Sequence, residues 1–142
     1  MPITTLEETT SQKRLRIFAA IAAAIATLQT VVAITMIALH GEFLVRLHEG
    51  LGYLYVAAAV VTVVPAVVWG RLSHKPGLIG HAAGLAVAGV VQLLLGLFQA
   101  GGVLGYVHMA LGLLIMVGAI ALYVLAKKRP IIVTNLDGTP RA

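Results

Sequence analysis

The first long apolar stretch, residues 17–39, reads IFAAIAAAIATLQTVVAITMIAL and contains no charged side chain. A helix of about 20 apolar residues crosses the hydrocarbon core of a bilayer. Three more long, predominantly apolar stretches follow, at residues 43–69, 78–98 and 103–126. We interpret all four as helices, because a chain in lipid must satisfy its backbone hydrogen bonds internally and no stretch alternates apolar with polar residues. The sequence therefore predicts an all-α integral membrane protein.

The composition supports this class and excludes others. The chain has 142 residues, of which 60% are hydrophobic and 11% charged, whereas soluble domains average about 25% charged residues. This excludes a soluble enzyme, a disordered chain and a collagen. There is no cysteine, hence no disulfide, thiolate metal site or cysteine nucleophile. The net charge of +5 comes from basic residues that flank the apolar stretches, which indicates membrane orientation rather than nucleic-acid binding.

The positions of the charges predict the topology. We divide the chain into an N-terminal segment (1–16), a transmembrane domain (17–126) and a C-terminal tail (127–142). Short connections link helices 1 to 2 and 3 to 4, so consecutive helices are antiparallel neighbours in an up-down four-helix bundle. By the positive-inside rule, both termini lie in the cytoplasm and the chain spans the plasma membrane. The basic residues on the cytoplasmic side are Lys13, Arg14, Arg16, Arg71, Lys75, Lys127, Lys128 and Arg129.

Helices 2 and 4 share a short sequence pattern. Residues 47–52 read LHEGLG, and residues 107–112 read VHMALG. Each has an apolar residue, His, any residue, a small residue, Leu and Gly. Helices 1 and 3 carry a weaker correspondence, since Gln29 and Gln92 are each followed by a small residue four positions later. The bundle is therefore predicted to consist of two repeated helical hairpins.

The two histidines of this repeat are candidate metal ligands. His48 and His108 lie about five residues inside the outer ends of their helices, about 7 Å deep at 1.5 Å per residue. Gly52 and Gly112 follow four residues later on the same helix faces and leave room for a flat ligand. Two neutral imidazoles are suitable axial ligands for haem iron. We predict one haem b per chain, in the outer half of the membrane, with His48 and His108 as its iron ligands.

The alternative is that these residues only pack helices, since histidines bond between membrane helices and glycines at four-residue spacing let them approach closely. Arg46 is predicted either to bind a haem propionate as a bidentate donor or to be an interfacial side chain whose head reaches water. Glu49 is predicted to pair with Arg46, to orient a histidine or, in an enzyme, to act as the catalytic acid or base. No other catalytic residue is predicted.

Other polar residues are assigned structural roles. We expect His40 to be interfacial. We expect no second haem at His81, because it has no histidine partner across the membrane. Gln29 and Gln92 are expected to pack between helices rather than contact a haem edge. The tyrosines are expected to pack or to lie in the interfacial belt, namely Tyr53, Tyr55, Tyr106 and Tyr123.

The segment from Gln92 to Gly112, with its QLLLG and HMALG motifs, resembles the third and fourth helices of one half of haem A synthase. The region after Leu47 resembles the second helix of that family. The resemblance covers helices 2 to 4 and implies a haem held by His48 and His108, as in the half-length, four-span relatives of the family. The family has a Glu-x-x-His-Arg pattern at this histidine. In this chain Val45 stands at the position of the glutamate and Glu49 at the position of the arginine. The b561-type cytochromes also place paired histidines on a helical bundle.

Three functions are consistent with these residues. The first is a bis-histidine cytochrome b that transfers electrons, linked to a quinone or acting as an accessory subunit of a respiratory complex. The second is a haem A synthase-like oxidoreductase that acts on a haem substrate, working as a homo-oligomer. The third is a haem-free structural subunit. All three place the chain in a lipid bilayer, and none involves nucleic acid.

Overall fold

A computed structural model describes residues 9–98 and 102–128. These residues form four helices, α1 (Thr10–Leu39), α2 (Glu42–Leu72), α3 (Pro76–Leu97) and α4 (Gly102–Lys127). The prediction of an all-helical fold is confirmed, and the described residues contain no strand. Residues 1–8 of the predicted N-terminal segment and residues 129–142 of the predicted C-terminal tail lie outside the described residues. Most of the connection between α3 and α4 does so as well.

The first helix begins earlier than the apolar stretch that predicted it. Thr9 is the N-cap, and its hydroxyl accepts a hydrogen bond from the backbone N–H of Gln12 at 3.2 Å. A side-chain acceptor of this kind satisfies one of the free donors at a helix start. Leu15 is fully buried, so this first turn and a half packs into the bundle. Apolar length identified the membrane-spanning part of α1, whereas capping and packing set its actual start.

The helices form a square in cross-section. α1 packs against α2 and α4, and α3 packs against α2 and α4. Within the described residues, the backbones of α1 and α3 do not come close to each other, and neither do those of α2 and α4. We call the end of the bundle where His40 and Gly41 connect α1 to α2 the histidine end. The opposite end, where residues 73–75 connect α2 to α3, is the terminus end.

Small residues fill much of the interior, so the helices lie close together. One cluster near the terminus end surrounds Trp69, and a second, in the middle of the bundle, surrounds Tyr55. Alanine dominates both clusters. Small interfacial residues are the usual means by which membrane helices approach closely, because lipid provides no hydrophobic drive for helix association. The buried alanines are Ala19, Ala22, Ala23, Ala26, Ala59, Ala66, Ala82, Ala86, Ala119 and Ala126.

The large apolar side chains that do not fit this interior face outward. Val64, Val87 and Leu114 are each about two-thirds exposed, at 66%, 65% and 68%. An apolar surface of this extent is characteristic of a protein in contact with lipid rather than water. All four helices are long and apolar enough to cross a membrane. The chain is therefore consistent with a multi-pass membrane protein.

A buried amide joins the two ends of the chain at the terminus end. Gln12 is 2% exposed, and its Nε2 donates hydrogen bonds to the carbonyl oxygens of Ala126 at 3.1 Å and Lys128 at 3.5 Å. Ala126 lies in the last turn of α4 and Lys128 directly follows the helix, where the carbonyls have no internal donors left. The side chain of one helix thus caps another, 114 residues away in sequence.

We expect Gln12→Met to lower the free energy of unfolding by about 1–3 kcal/mol, because it removes the buried donor and leaves the Ala126 carbonyl unpaired. Unfolding in mixed micelles with increasing denaturing detergent measures this. Lys13→Met is the matched control, since Lys13 is exposed and surface changes have effects within about 0.5 kcal/mol. Equal stability of the two variants would contradict a capping role for Gln12.

Candidate functional site

The two histidines of the repeat meet in the centre of the bundle. The ring centroids of His48 and His108 are 6.2 Å apart, with an angle of 71° between the ring planes. Each histidine lies six residues after the first residue of its helix, and α2 and α4 run in the same direction. The side chains therefore reach the same depth from diagonally opposite helices. Because the backbones of those helices are not close to each other, the two imidazoles meet across the space between them.

Each imidazole has a buried nitrogen without a partner. Nδ1 of His48 and Nδ1 of His108 are buried, and neither has a hydrogen-bond partner within the described residues. The backbone of Gln29 lies beside the His48 ring, and the backbone of Gln92 lies beside the His108 ring. The environments of the two histidines therefore repeat between the hairpins. Buried polar atoms in proteins are nearly always paired, so two unpaired nitrogens in one place call for an explanation.

The glutamines and glycines of the repeat also contact each other in matching pairs. A Cβ added to Gly52 would lie 3.2 Å from Nε2 of Gln29, and one added to Gly112 would lie 3.0 Å from Nε2 of Gln92. The space beside each glycine, expected to be open to a ligand, thus holds a glutamine amide from the adjacent helix. Nε2 of Gln92 also donates a hydrogen bond to the backbone carbonyl of His108 at 2.9 Å. This bond links α3 to α4 directly below the histidine pair, which fits the packing role expected of Gln92.

Gly96 makes room for one of the histidines. A Cβ added at this position would lie 3.2 Å from Cε1 of His108. The absence of a side chain at Gly96 lets the His108 ring lie against the backbone of α3. The sequence repeat marked Gly96 only as a small residue following Gln92, so its contact with the ring was not predicted. The sequence feature that could have indicated this contact is the position of Gly96 four residues after Gln92, a buried polar residue.

Two cavities adjoin the histidine pair. One, of about 420 Å³, lies mainly between α2 and α3, and the other, of about 510 Å³, lies mainly between α1 and α4. Volumes of several hundred Å³ are typical of small-molecule and cofactor sites. The residues that line both cavities come from all four helices and form the wall between them: Gln29, Met36, His48, Tyr55, Gln92 and His108.

Tyr55 belongs to this wall although its sequence context did not single it out. It lies seven residues after His48 on the same helix face. The side chain is 3% exposed, and its hydroxyl is buried without a hydrogen-bond partner in the described part of the chain. The other tyrosines differ: Tyr53 and Tyr106 are exposed, and the Tyr123 ring has Nζ of Lys127 5.0 Å from its centroid. Tyr55 therefore packs in the bundle, as one of the two roles expected of the tyrosines, but the unpaired hydroxyl was not predicted.

The structure does not bring Arg46 to the site. Arg46 is exposed and lines neither cavity. It is two residues before His48, and residues two apart on a helix point to nearly opposite sides. The predicted pairing of Arg46 with Glu49 is also absent, since no ion pair joins them in residues 9–98. Glu49 does line the smaller cavity and interacts electrostatically with His48.

The remaining histidines lie apart from the pair. His40 ends α1 in a left-handed conformation, with φ of 45°, and its backbone N–H donates to the Met36 carbonyl at 3.0 Å. His81 lies near the terminus end, where its Nε2 is 2.8 Å from the carbonyl oxygen of Gly118. His81 therefore links α3 to α4 through a hydrogen bond.

The described residues contain no group of three or more histidine, aspartate or glutamate side chains that could hold a metal ion. A metal at the His48–His108 pair would therefore be held by these two histidines, with no third histidine or carboxylate of the described residues grouped with them. Comparison of the chain with protein-family models, with curated proteins and with solved structures gave no match. The function must accordingly be argued from the histidine pair, its cavities and its neighbours.

Proposed function

We propose that this protein is a small membrane cytochrome, in which His48 and His108 hold one haem b and the chain transfers electrons. The observation that carries the proposal is the 6.2 Å separation of the two ring centroids. Imidazole nitrogens bind first-row metals at about 2.0–2.1 Å. Two imidazoles on opposite sides of one metal therefore have centroids about 6 Å apart, which matches the observed pair.

Three further properties of the site fit a haem. Each ring offers a buried nitrogen without a hydrogen-bond partner in the described residues, as a ligand to a metal requires. The adjoining cavities, of about 420 and 510 Å³, lie on both sides of the pair. Their walls are largely apolar, with leucine, isoleucine, methionine and glycine, as suits a tetrapyrrole. A bound haem supplies a one-electron redox centre, and two axial histidines leave its iron no open position for oxygen chemistry.

The surroundings of the pair support a role in electron transfer rather than catalysis. The ring of His108 lies against Gly96, and Gln92 fixes the backbone carbonyl of His108. A ligand held in this way moves little when the charge on the metal changes. By the positive-inside rule the histidine end faces the outer side of the plasma membrane and both termini face the cytoplasm. The proposed redox partner is a quinone or a respiratory complex.

A second candidate is a haem A synthase-like oxidoreductase with a haem as substrate. The observation in its favour is Glu49, a carboxylate in the wall of the smaller cavity that interacts electrostatically with His48. An oxygenation reaction needs an acid or base near the substrate, and Glu49 is the acidic residue that this cavity offers within the described chain. Identification of the bound pigment decides between the two functions.

The test is expression with ample haem, purification in detergent and measurement of reduced-minus-oxidised spectra. We expect a low-spin b-type spectrum and one haem per chain. Extraction of an unmodified haem b supports the cytochrome, whereas haem O or haem A in the extract supports the synthase. A stable, correctly folded protein that remains colourless would contradict both and leave the structural role.

A further inference from the structure

Two buried polar atoms of opposite type lack partners in the wall between the cavities. They are the hydroxyl of Tyr55 and Oε1 of Gln92, on side chains that are 3% and 9% exposed. A tyrosine hydroxyl donates one hydrogen bond, and an amide oxygen accepts. Leaving such atoms unpaired in a low-dielectric interior is costly. Neither atom is used by the proposed haem ligation.

Tyr55 of α2 and Gln92 of α3 meet at one face of α3. The Tyr55 ring packs against Gly89, where an added Cβ would lie 2.9 Å from Cε1 of the ring. Gln92 follows Gly89 by three residues, on the same helix face. Nε2 of Gln92 is bound to the His108 carbonyl, which leaves Oε1 as the free end of the amide. Both side chains line both cavities, so a donor and an acceptor without partners in the described residues lie in one wall.

Tyr55 breaks the repeat at this point. In the second hairpin the corresponding residue, 60 positions later, is Ile115, which is buried and apolar. Both residues line the larger cavity. Packing alone does not require a hydroxyl at this position, since the apolar Ile115 packs at the corresponding position of the second hairpin. The unpaired hydroxyl in one hairpin alone indicates a ligand with one polar group.

The larger cavity is suited to a neutral ligand that arrives from lipid. No aspartate, glutamate, lysine or arginine is among its described lining residues. Ile34 and Leu113 line it and are also 63% and 51% exposed on the outer surface of the bundle. The cavity therefore reaches the surface that faces lipid, between α1 and α4. A charged ligand would have to be desolvated there without a counter-ion.

We propose that this cavity binds a lipid-soluble molecule through a neutral hydroxyl group, which accepts a hydrogen bond from Tyr55 and donates one to Oε1 of Gln92. A hydroxyl is both donor and acceptor, so one group satisfies both unpaired atoms. The chemistry has two sources in a membrane: the ring hydroxyl of a hydroquinone, and the hydroxyl of a lipid alcohol such as a diacylglycerol. The proposal does not depend on iron at the histidine pair.

The test uses the full chain in lipid nanodiscs and three probes: a decyl benzohydroquinone, its dimethyl ether and dioctanoylglycerol. Equilibrium binding is measured for wild type, Tyr55→Phe and Gln92→Met. We expect one site per chain and about five- to tenfold weaker binding of the preferred probe by Tyr55→Phe, the effect of one lost hydrogen bond. Gln92→Met is expected to lose at least as much, because it also removes the Nε2 donor bound to the His108 carbonyl. Tyr53→Phe is the matched control, because Tyr53 is exposed and does not line the larger cavity, and it is expected to bind as wild type.

Saturable binding of the hydroquinone in preference to its ether, or of dioctanoylglycerol, supports the proposal and identifies the source. Equal affinity of Tyr55→Phe and wild type for the preferred probe overturns it. So does equal affinity of hydroquinone and ether without binding of dioctanoylglycerol, or the absence of saturable binding of either hydroxyl probe. Repeating the probe-binding measurement in His108→Ala, which is expected to lack haem, distinguishes failure of this proposal from failure of the proposed haem site. Binding of a hydroxyl probe by a haem-free variant shows that the two sites are independent, and thermal unfolding confirms that each variant is folded.

Discussion

His108→Ala is expected to abolish the low-spin b-type spectrum, and His48→Ala is expected to do the same. In the proposed site the iron would be held by these two imidazoles, whose ring centroids are 6.2 Å apart, so the loss of either ring would remove one of its two protein ligands. The structure gives no third histidine near the pair, because His40 caps α1 and His81 bonds to Gly118. We expect less than about one-tenth of the wild-type absorbance of the six-coordinate form, measured by difference spectroscopy at equal protein concentration.

The control for this prediction is His74→Asn. His74 is exposed at the terminus end and has φ of 52°, a conformation that asparagine tolerates well. Its haem content and spectrum are expected to equal those of wild type. Free imidazole added to His108→Ala should restore part of the low-spin signal by entering the space left by the ring. A spectrum that survives in either alanine variant would show that the pair does not ligate the haem.

The histidine pair could be predicted from the sequence because the same short pattern places one histidine at the same position in each of two helices. Equal position in two helices that run the same way predicts equal depth, and the structure brings the two rings together. Arg46 was placed by proximity in sequence alone, and the phase of the helix turns it outward. Sequence spacing thus predicts which residues share a level, but helical phase decides which of them share a face.

Other features of the site depend on contacts that sequence spacing does not encode. Gly52 and Gly112 were expected to leave open space, yet glutamine amides from adjacent helices occupy it. Tyr55 was expected to pack, and packs, but its hydroxyl remains unpaired in the described residues. Whether a side chain in a membrane helix is buried, and whether it has a hydrogen-bond partner, depends on which helix packs against it. The packing of the whole bundle determines that neighbour. Apolar length, by contrast, was enough to predict all four helices, with ends shifted by caps such as Thr9.

Gly96→Val is expected to disturb the histidine pair although neither histidine is replaced. The Cβ alone would lie 3.2 Å from Cε1 of His108, a contact that a small shift can relieve. The two methyl groups of valine extend further and have little rotational freedom on a helix, so the ring must move. Overpacking of this kind costs about 1–3 kcal/mol, which corresponds to about five- to one-hundred-fold weaker haem retention. The spectrum should change from low-spin to a mixture that contains a high-spin, five-coordinate form.

Gly84→Val provides the matched control, because it lies on the same helix and an added Cβ there meets no atom within 4 Å. The two variants share the same change in helix propensity, so any difference between them reports the contact with His108. Gly96→Ala adds only the Cβ and is expected to lie between Gly96→Val and wild type. If all three variants keep the wild-type spectrum and haem affinity, the position of the His108 ring does not depend on Gly96. A graded loss from Gly96→Ala to Gly96→Val, with Gly84→Val unaffected, would instead tie the distance between the imidazoles to haem binding.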